Sequence, residues 1–291
     1  MPTHPYVLLD VFTDRPLAGN QLAVFTAADA MDEADLQPLA RELNLSETVF
    51  VLPPRDGGDV RARYFSSVTE LEFAGHPTLG TAGLLAVDRL GGDSGAVTVT
   101  IETGRGTIPI DVRIDDDGRI FGWMSQPLPS HTAWLQVEEL CTLLRVGSPS
   151  VPVEVYDNGI AHLFLVLDSP AEVVAIQPDF AALGRLCGRP IRINVAAGSG
   201  TSYTSRMFSP FDYVPEDPAC GSAAGPLALH LVRHGRIGSG EILTIAQGAQ
   251  VGRPSTLFAQ VTAEGDEVTE VRVGGHAVIV GRGTFTLGND S

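Results

Sequence analysis

The stretch EDPACGSAAG, residues 216–225, sets an acidic pair, a proline and a cysteine directly before a run of very small residues. The thiol of Cys220 has two readings there. It is an acid/base group that takes or returns a proton at carbon, or it is only a small side chain where the chain turns into a helix. A second small-residue helix start lies at FAGHPT, residues 73–78. Helix N-termini carry free N–H groups and a positive dipole end, which favour a carboxylate. Gly75, Gly221 and Ser222 would let such a ligand come close to the backbone. Small residues at a helix start equally permit tight packing, and that alternative stands beside the first. Pro226 complicates the start of the second helix, because its missing N–H suits a first turn better than an interior.

The apolar pattern predicts the elements that must hold these positions. VLLDVF and NQLAVF read as short buried strands separated by the turn-rich DRPLAG. DEADLQPLARELN, acidic in its first turn, with apolar Leu36, Leu39, Ala40 and Leu43, predicts an amphipathic helix. TVFVLPP reads as a strand stopped by prolines, and VRARYFSS as a half-buried strand. From His76 onward PTLGTAGLLAVDRLGG predicts a buried helix with Pro77 in its first turn. VTVTIET and TIPIDVRI are further strands. The prolines of WMSQPLPSHTAW predict a domain linker. The layout then repeats, with AWLQVEELCTLL and DFAALGRLCG as helices and VPVEVYD, AHLFLVLD, IRINVAA and TSYTSRMF as strands. The helix after Cys220 follows, then strands at ILTIAQG and TLFAQV. Residues 73–90 can be laid over 218–235 at an offset of 145 residues, which matches Ala74 with Ala219 and Gly80 with Gly225. An offset near half the chain predicts duplication rather than a short-repeat solenoid.

The 291 residues suffice for two domains of ordinary size, and 44% hydrophobic with 19% charged content describes a soluble, well-packed globular protein. A net charge of −16 with no basic stripe argues against a nucleic-acid partner. No apolar run approaches the roughly 18 residues that span a membrane, so no membrane partner is expected. MPTHPYVLLDVF lacks a basic n-region, so no signal peptide is expected. Cys141, Cys187 and Cys220 are widely spaced and odd in number. They argue against a disulfide framework or structural zinc and for a reducing, cytoplasmic location. His4, His131, His162, His230, His234 and His276 show no metal-ligand spacing and read as surface or core residues, so no metal is expected. Trp123 and Trp134 read as packing residues.

Several blocks carry a family resemblance. AGNQLAVF (18–25), NLSETVFV (44–51), RYFSSVTELEFAGHPTLGTA (63–82), RMF with EDPACGSAAG (206–225) and QGAQVGRPS (247–255) resemble the signature blocks of the phenazine-biosynthesis PhzF-like family, in the right order. That family shares the diaminopimelate epimerase fold. The resemblance implies an α/β (α+β) protein of two duplicated domains, 1–125 and 126–279. Each would be a curved, mostly antiparallel sheet or barrel wrapped around a central helix, with the active site between the domains. The last strand, about 280–291, would complete the first domain. It also implies a cofactor-independent isomerase acting on a small-molecule carboxylate, a small cyclic amino acid of the dihydro-hydroxyanthranilate type, and a homodimer. Carried over by position, Glu47 would shuttle a proton between carbons, with His76 and Asp217 holding polar groups and assisting. Gly75, Gly221 and Ser222 would bind the carboxylate, and Asn20 would line the pocket. Carbon acids are weak, so the base must be desolvated and its pKa raised, and the anion formed needs nearby donors. Each position also has an ordinary reading: Glu47 as an exposed strand-start carboxylate, His76 and Ser222 as helix caps, Asp217–Pro218 as a turn.

The epimerase relatives use one cysteine from each domain. Here Cys220 has Ala74 as its counterpart, so a two-thiol epimerisation lacks a partner and the proton falls to Glu47. An amino-acid racemase using Cys220 with Glu47 or His76, and a non-catalytic small-acid binding protein, remain as alternatives. Ser67 and Glu72 stand where the family pattern leads one to expect prolines, and Cys220 where many members have threonine.

Overall fold

The computed structural model describes residues 2–287 apart from Tyr213 and Asp266. Residues 288–291, the end of the expected closing strand, lie outside the described residues. In chain order the first elements are β1 (Thr3–Val11), β2 (Asn20–Phe25), α1 (Glu33–Leu43), β3 (Glu47–Leu52), β4 (Val60–Phe65) and β5 (Glu70–Leu71). Next come α2 (Gly75–Arg89), β6 (Gly95–Thr103), β7 (Gly106–Ile114), β8 (Ile120–Gln126) and β9 (Ser130–Ala133). Then follow α3 (Val137–Leu144), β10 (Glu154–Asp157), β11 (Ala161–Leu167), α4 (Pro170–Ala175), α5 (Phe180–Cys187), β12 (Arg192–Ser199), β13 (Ser202–Phe208) and β14 (Glu216–Asp217). The chain ends with α6 (Gly221–Arg233), β15 (Ile242–Gln247), β16 (Ser255–Glu264) and β17 (Glu267–Thr286). Two compact units result, one from the residues up to Met124 together with those from Gly274 onward, the other from Ser125–Val273.

In the first unit β1 is antiparallel to β2, β2 parallel to β3, β3 antiparallel to β4 and β4 parallel to β6. β6, β7 and β8 form a meander, β8 pairs with β17, and β17 pairs with β1. The circuit is a closed eight-strand barrel. Closure leaves no free edge in the ring. Helix α2 lies inside it, buried from Gly75 through Leu84 and touching β1, β2, β3, β6 and β7. That is why the helix is apolar on every side. A methyl on Gly80 would come within 2.6 Å of Leu22 and 2.7 Å of Val11, so the absent side chain is what lets these strands close on the helix. Helix α1 covers the opposite face, where Leu36, Leu39 and Ala40 join Phe25, Phe50 and Phe65 in one cluster. Because both faces are covered, β2 and β3 read as continuous apolar runs rather than alternating ones.

The second unit repeats this order. β10 is antiparallel to β11, β11 parallel to β12, β12 antiparallel to β13, β13 parallel to β15, and β15 antiparallel to β16. Its central helix is α6, buried from Gly221 to Leu231. Helices α3, α4 and α5 pack on the other face through Leu140, Leu144, Val173, Leu183 and Leu186. Duplication is therefore in the fold, in a register one residue from the expected one. The helix N-caps are Ala74 and Cys220, an offset of 146, so His76 corresponds to Ser222 and Gly80 to Pro226. Pairing Gly80 with Gly225 shifts the alignment by one from the structural correspondence. The stretch 123–134 is mostly strand, in β8 and β9, with Pro127 and Pro129 in the join, and the boundary between the two units falls inside it, after Met124.

Candidate active site

In the first unit Asn20 opens β2 and is fully buried, Glu47 opens β3, and His76 stands at the second position of α2. The parallel register sets Leu22 opposite Glu47, which brings the two strand starts to the same end of the barrel. The loop before Asn20 has Phe12 and Leu17 at φ 64°, a backbone region that bulky residues rarely adopt. The N-cap is Ala74, so His76 is not a cap, and its side chain reaches across to the strands. Asn20 Nδ2 lies 3.3 Å from His76 Nδ1, and His76 Nε2 lies 3.3 Å from the Gln21 carbonyl and 3.5 Å from Glu47 Oε2. Burial pushes the His76 pKa down to about 3, against the opposing effect of the Gln21 carbonyl, so the ring is neutral at neutral pH. With the Asn20 amide donating to Nδ1, the ring proton resides on Nε2 and faces both carbonyl and carboxylate. Gly75 precedes His76 at the first position of α2, where the N–H groups lie outside the helical ladder.

In the second unit Asp217 ends the two-residue strand β14, and its Oδ1 accepts a hydrogen bond from the Ala219 N–H at 2.9 Å. The turn reading of Asp217–Pro218 is thus realised in the backbone. Gln247 Nε2 donates to the Asp217 carbonyl at 2.8 Å, and Gly248, at φ 79°, passes so near the Pro218 carbonyl that a side chain there would collide. Cys220 is the N-cap and makes no side-chain cap bond, while Gly221 and Ser222 form the first turn of α6. Ser222 does not cap the helix either. Its Oγ lies 3.0 Å from His162 Nε2 and 3.3 Å from Cys220 Sγ. Burial, with the charge of Asp217 adding to it, pushes the Cys220 thiol up to about 12. A thiol held that high is protonated at neutral pH and makes a poor base.

Two partnerships are not visible in the sequence, one of them the means by which α6 accommodates Pro226. Pro226 sits inside α6, and the carbonyl its missing N–H would have served, that of Ser222, accepts instead from Asn158 Nδ2 at 3.0 Å. Glu154, His230 and His234 also come together, their ligand atoms within 4.8 Å of one another. His230 lies in the last turn of α6 and His234 is its C-cap, a four-residue spacing that could have drawn notice. Arg233 Nη1 already lies 3.0 Å from Glu154 Oε2, and Tyr156 donates to the same oxygen at 2.8 Å. Burial would raise the Glu154 pKa, but the hydrogen bonds from Tyr156 and His234 and the charge of Arg233 hold it at about 2. The donor set could take a divalent ion, yet the guanidinium supplies its counter-charge.

The family model described as phenazine biosynthesis-like protein matches residues 9–283. The trans-2,3-dihydro-3-hydroxyanthranilate isomerase of Pseudomonas fluorescens is 44% identical over 284 residues, 98% of this chain and 100% of its own length. A phenazine biosynthesis protein of the PhzF family from Bacillus anthracis superposes with a TM-score of 0.83 at 23% identity, covering 99% of this chain and 100% of that one. A hydroxyproline epimerase of Agrobacterium vitis shares the fold at a TM-score of 0.58 and 11% identity, over 97% of this chain and 92% of that one. The chain belongs to the phenazine biosynthesis-like family. Its reaction class is isomerisation. Among the described residues no helix is long and apolar enough to cross a membrane.

Proposed function

We propose that this isomerase moves a proton between two carbons of a small cyclic amino acid of the trans-2,3-dihydro-3-hydroxyanthranilate type, with Glu47 as general acid/base and no cofactor. The observation that carries the reading is the Glu47 carboxylate set 3.5 Å from a buried, neutral imidazole. A neutral imidazole cannot neutralise the carboxylate by proton transfer, so Glu47 stays available as a base while His76 Nε2–H offers a donor. Glu47 takes the proton from one ring carbon, and the electron pair of that C–H bond shifts into the adjacent unsaturated system. The new carboxylic acid exchanges its proton with solvent and then protonates the far carbon. His76 and, in the second unit, Asp217 hold polar groups of the substrate. The first-turn amides at Gly75 and Gly221 and the Ser222 hydroxyl take its carboxylate, and Asn20 fixes the His76 tautomer. A homodimer belongs to the same reading and is checked by light scattering.

The test is turnover of trans-2,3-dihydro-3-hydroxyanthranilate in D2O, read by mass shift. Native protein and Cys220→Ser should form the isomer with deuterium at the reprotonated carbon. Glu47→Gln should lose about 10²–10⁴-fold in rate, the usual worth of a positioned acid/base. A Glu47→Gln variant as fast as the native enzyme would end the assignment, and loss of turnover in Cys220→Ser would move the proton to the thiol.

A further inference from the structure

His162 is the second residue of the otherwise apolar β11 and has no exposed surface, and buried ring nitrogens need partners. Its Nδ1 is 3.3 Å from Asn194 Nδ2 and its Nε2 is 3.0 Å from Ser222 Oγ. The orientation of the Asn194 amide follows from its other neighbours. Nδ2 also lies 3.2 Å from the carbonyls of Leu163 and Arg192, which only accept. The amide nitrogen must face them, so it shares its two protons among the carbonyls and Nδ1 and offers a proton on Nδ1 no acceptor. Nδ1 therefore accepts, and the ring proton is on Nε2. Burial, aided by the charge of Arg192, holds the His162 pKa well below its ordinary value, which keeps the ring neutral.

Nε2–H then donates to Ser222 Oγ, which takes one lone pair of the hydroxyl. The protonated Cys220 thiol sits against the same oxygen. A hydroxyl that accepts a hydrogen bond from one side presents its own proton elsewhere, here from the first turn of a helix. The first unit contains the same arrangement, an asparagine amide on His76 Nδ1, but there Nε2–H faces acceptors, Glu47 and the Gln21 carbonyl. In the second unit it faces a hydroxyl that can pass the donation on.

We infer that His162 and Asn194 are positioning residues that hold the Ser222 hydroxyl as a donor to the anionic group of the substrate. This rests on the proposed function only in taking that group to be a carboxylate. The first measurement needs no substrate: long-range proton–nitrogen correlation spectra of histidine-labelled native protein. One imidazole assigned to His162, by its loss in His162→Gln, should carry its proton on Nε2 and none on Nδ1. The opposite tautomer would overturn the inference.

The second compares binding of 3-hydroxyanthranilate, a stable aromatic carboxylate, with that of its carboxamide. Ser222→Ala and His162→Leu should each weaken carboxylate binding about tenfold, the worth of one hydrogen bond to a charged group, with little change for the amide. The double variant should be no weaker than either single one, because His162 acts through Ser222. His162→Gln, whose amide can reach the same place, should recover most of the loss. Losses that multiply in the double variant would reduce His162 to a packing residue, as would a His162→Leu variant that binds normally. Carboxylate binding without turnover would sink the proposed substrate and leave this inference standing. Turnover with native kinetics in His162→Leu would do the reverse, and no carboxylate binding by the native protein would count against both.

Discussion

Arg206 offers the sharpest test of how the second unit holds Asp217. Its side chain is 5% exposed, and it pairs bidentately with Glu216, at 2.8 Å from Nε to Oε1 and from Nη2 to Oε2. Nη1 also donates to the carbonyls of Val173, Val174 and Ile176, at 3.2, 3.3 and 2.7 Å, where α4 ends. One guanidinium thus ties β13 to the end of α4 and to the strand residue before Asp217. Arg206→Met removes the charge and leaves a carboxylate with 12% side-chain exposure beside orphaned helix carbonyls. Breaking a buried pair from one side costs about 3–5 kcal/mol, and an orphaned carbonyl about 1 kcal/mol more. The expected loss is about 4–6 kcal/mol. Arg206→Lys keeps the charge but loses the fork, and should cost about half as much. Urea unfolding followed by tryptophan fluorescence reads these losses as midpoint shifts at constant slope. Because the orphaned carboxylate is a large part of the cost, Arg206→Met with Glu216→Gln should be less destabilised than the sum of the two single variants. A loss below about 1 kcal/mol for Arg206→Met, the range of exposed pairs, would refute the reasoning, as would strict additivity.

The remaining expectations concern packing and protons. Gly80→Ala pushes a methyl into Leu22 and Val11, so it should cost about 1–3 kcal/mol as overpacking and lower the melting temperature by several degrees. An unchanged melting temperature would mean the barrel does not close on α2 as tightly as described. The buried histidines make the fold acid-sensitive. Burial holds His76 at about 3, and burial with the charge of His234 holds His230 at about 4, whereas an unfolded histidine titrates near ~6.5. The unfolded chain binds more protons between those values, so stability is full above ~6.5 and falls as pH drops through the window. Urea midpoints at high, neutral and mildly acidic pH check this, and a midpoint that rises on acidification would contradict it.

Much of the fold was legible because its signals are local. Helix α2 shows an unbroken apolar run with Pro77 in the first turn, and β2 and β3 are short apolar runs bounded by turn residues. What escaped depends on partners distant in sequence. A proline inside a helix reads as a break, and only Asn158, 64 positions before Ser222, makes Pro226 tolerable there. The alignment of the halves slipped by one because Gly80 and Gly225 look alike, while their helices begin at Ala74 and Cys220. Within the candidate site, Glu47 and His76 were singled out by a resemblance spanning several blocks, since a strand-start glutamate alone carries no signal. His162 looked like any core histidine. Its neighbour Asn194 is 32 positions away on a parallel strand, and no periodicity announces that pairing.

The path of the chain through its barrels also orders its synthesis. The second unit is one continuous segment, Ser125–Val273, and its strands β10 to β16 are all synthesised before β17 is complete. The first barrel has seven of its strands by Gln126 and waits for the eighth, β17, which runs to Thr286. At about 5–20 residues per second, β1 and β8 stand without their last neighbour for roughly 10–30 seconds while the later half is made. During that interval two strand edges offer bare amides and carbonyls to any other nascent chain. The half translated first is thus the half completed last, and β17 acts as the clasp on work begun at the N-terminus.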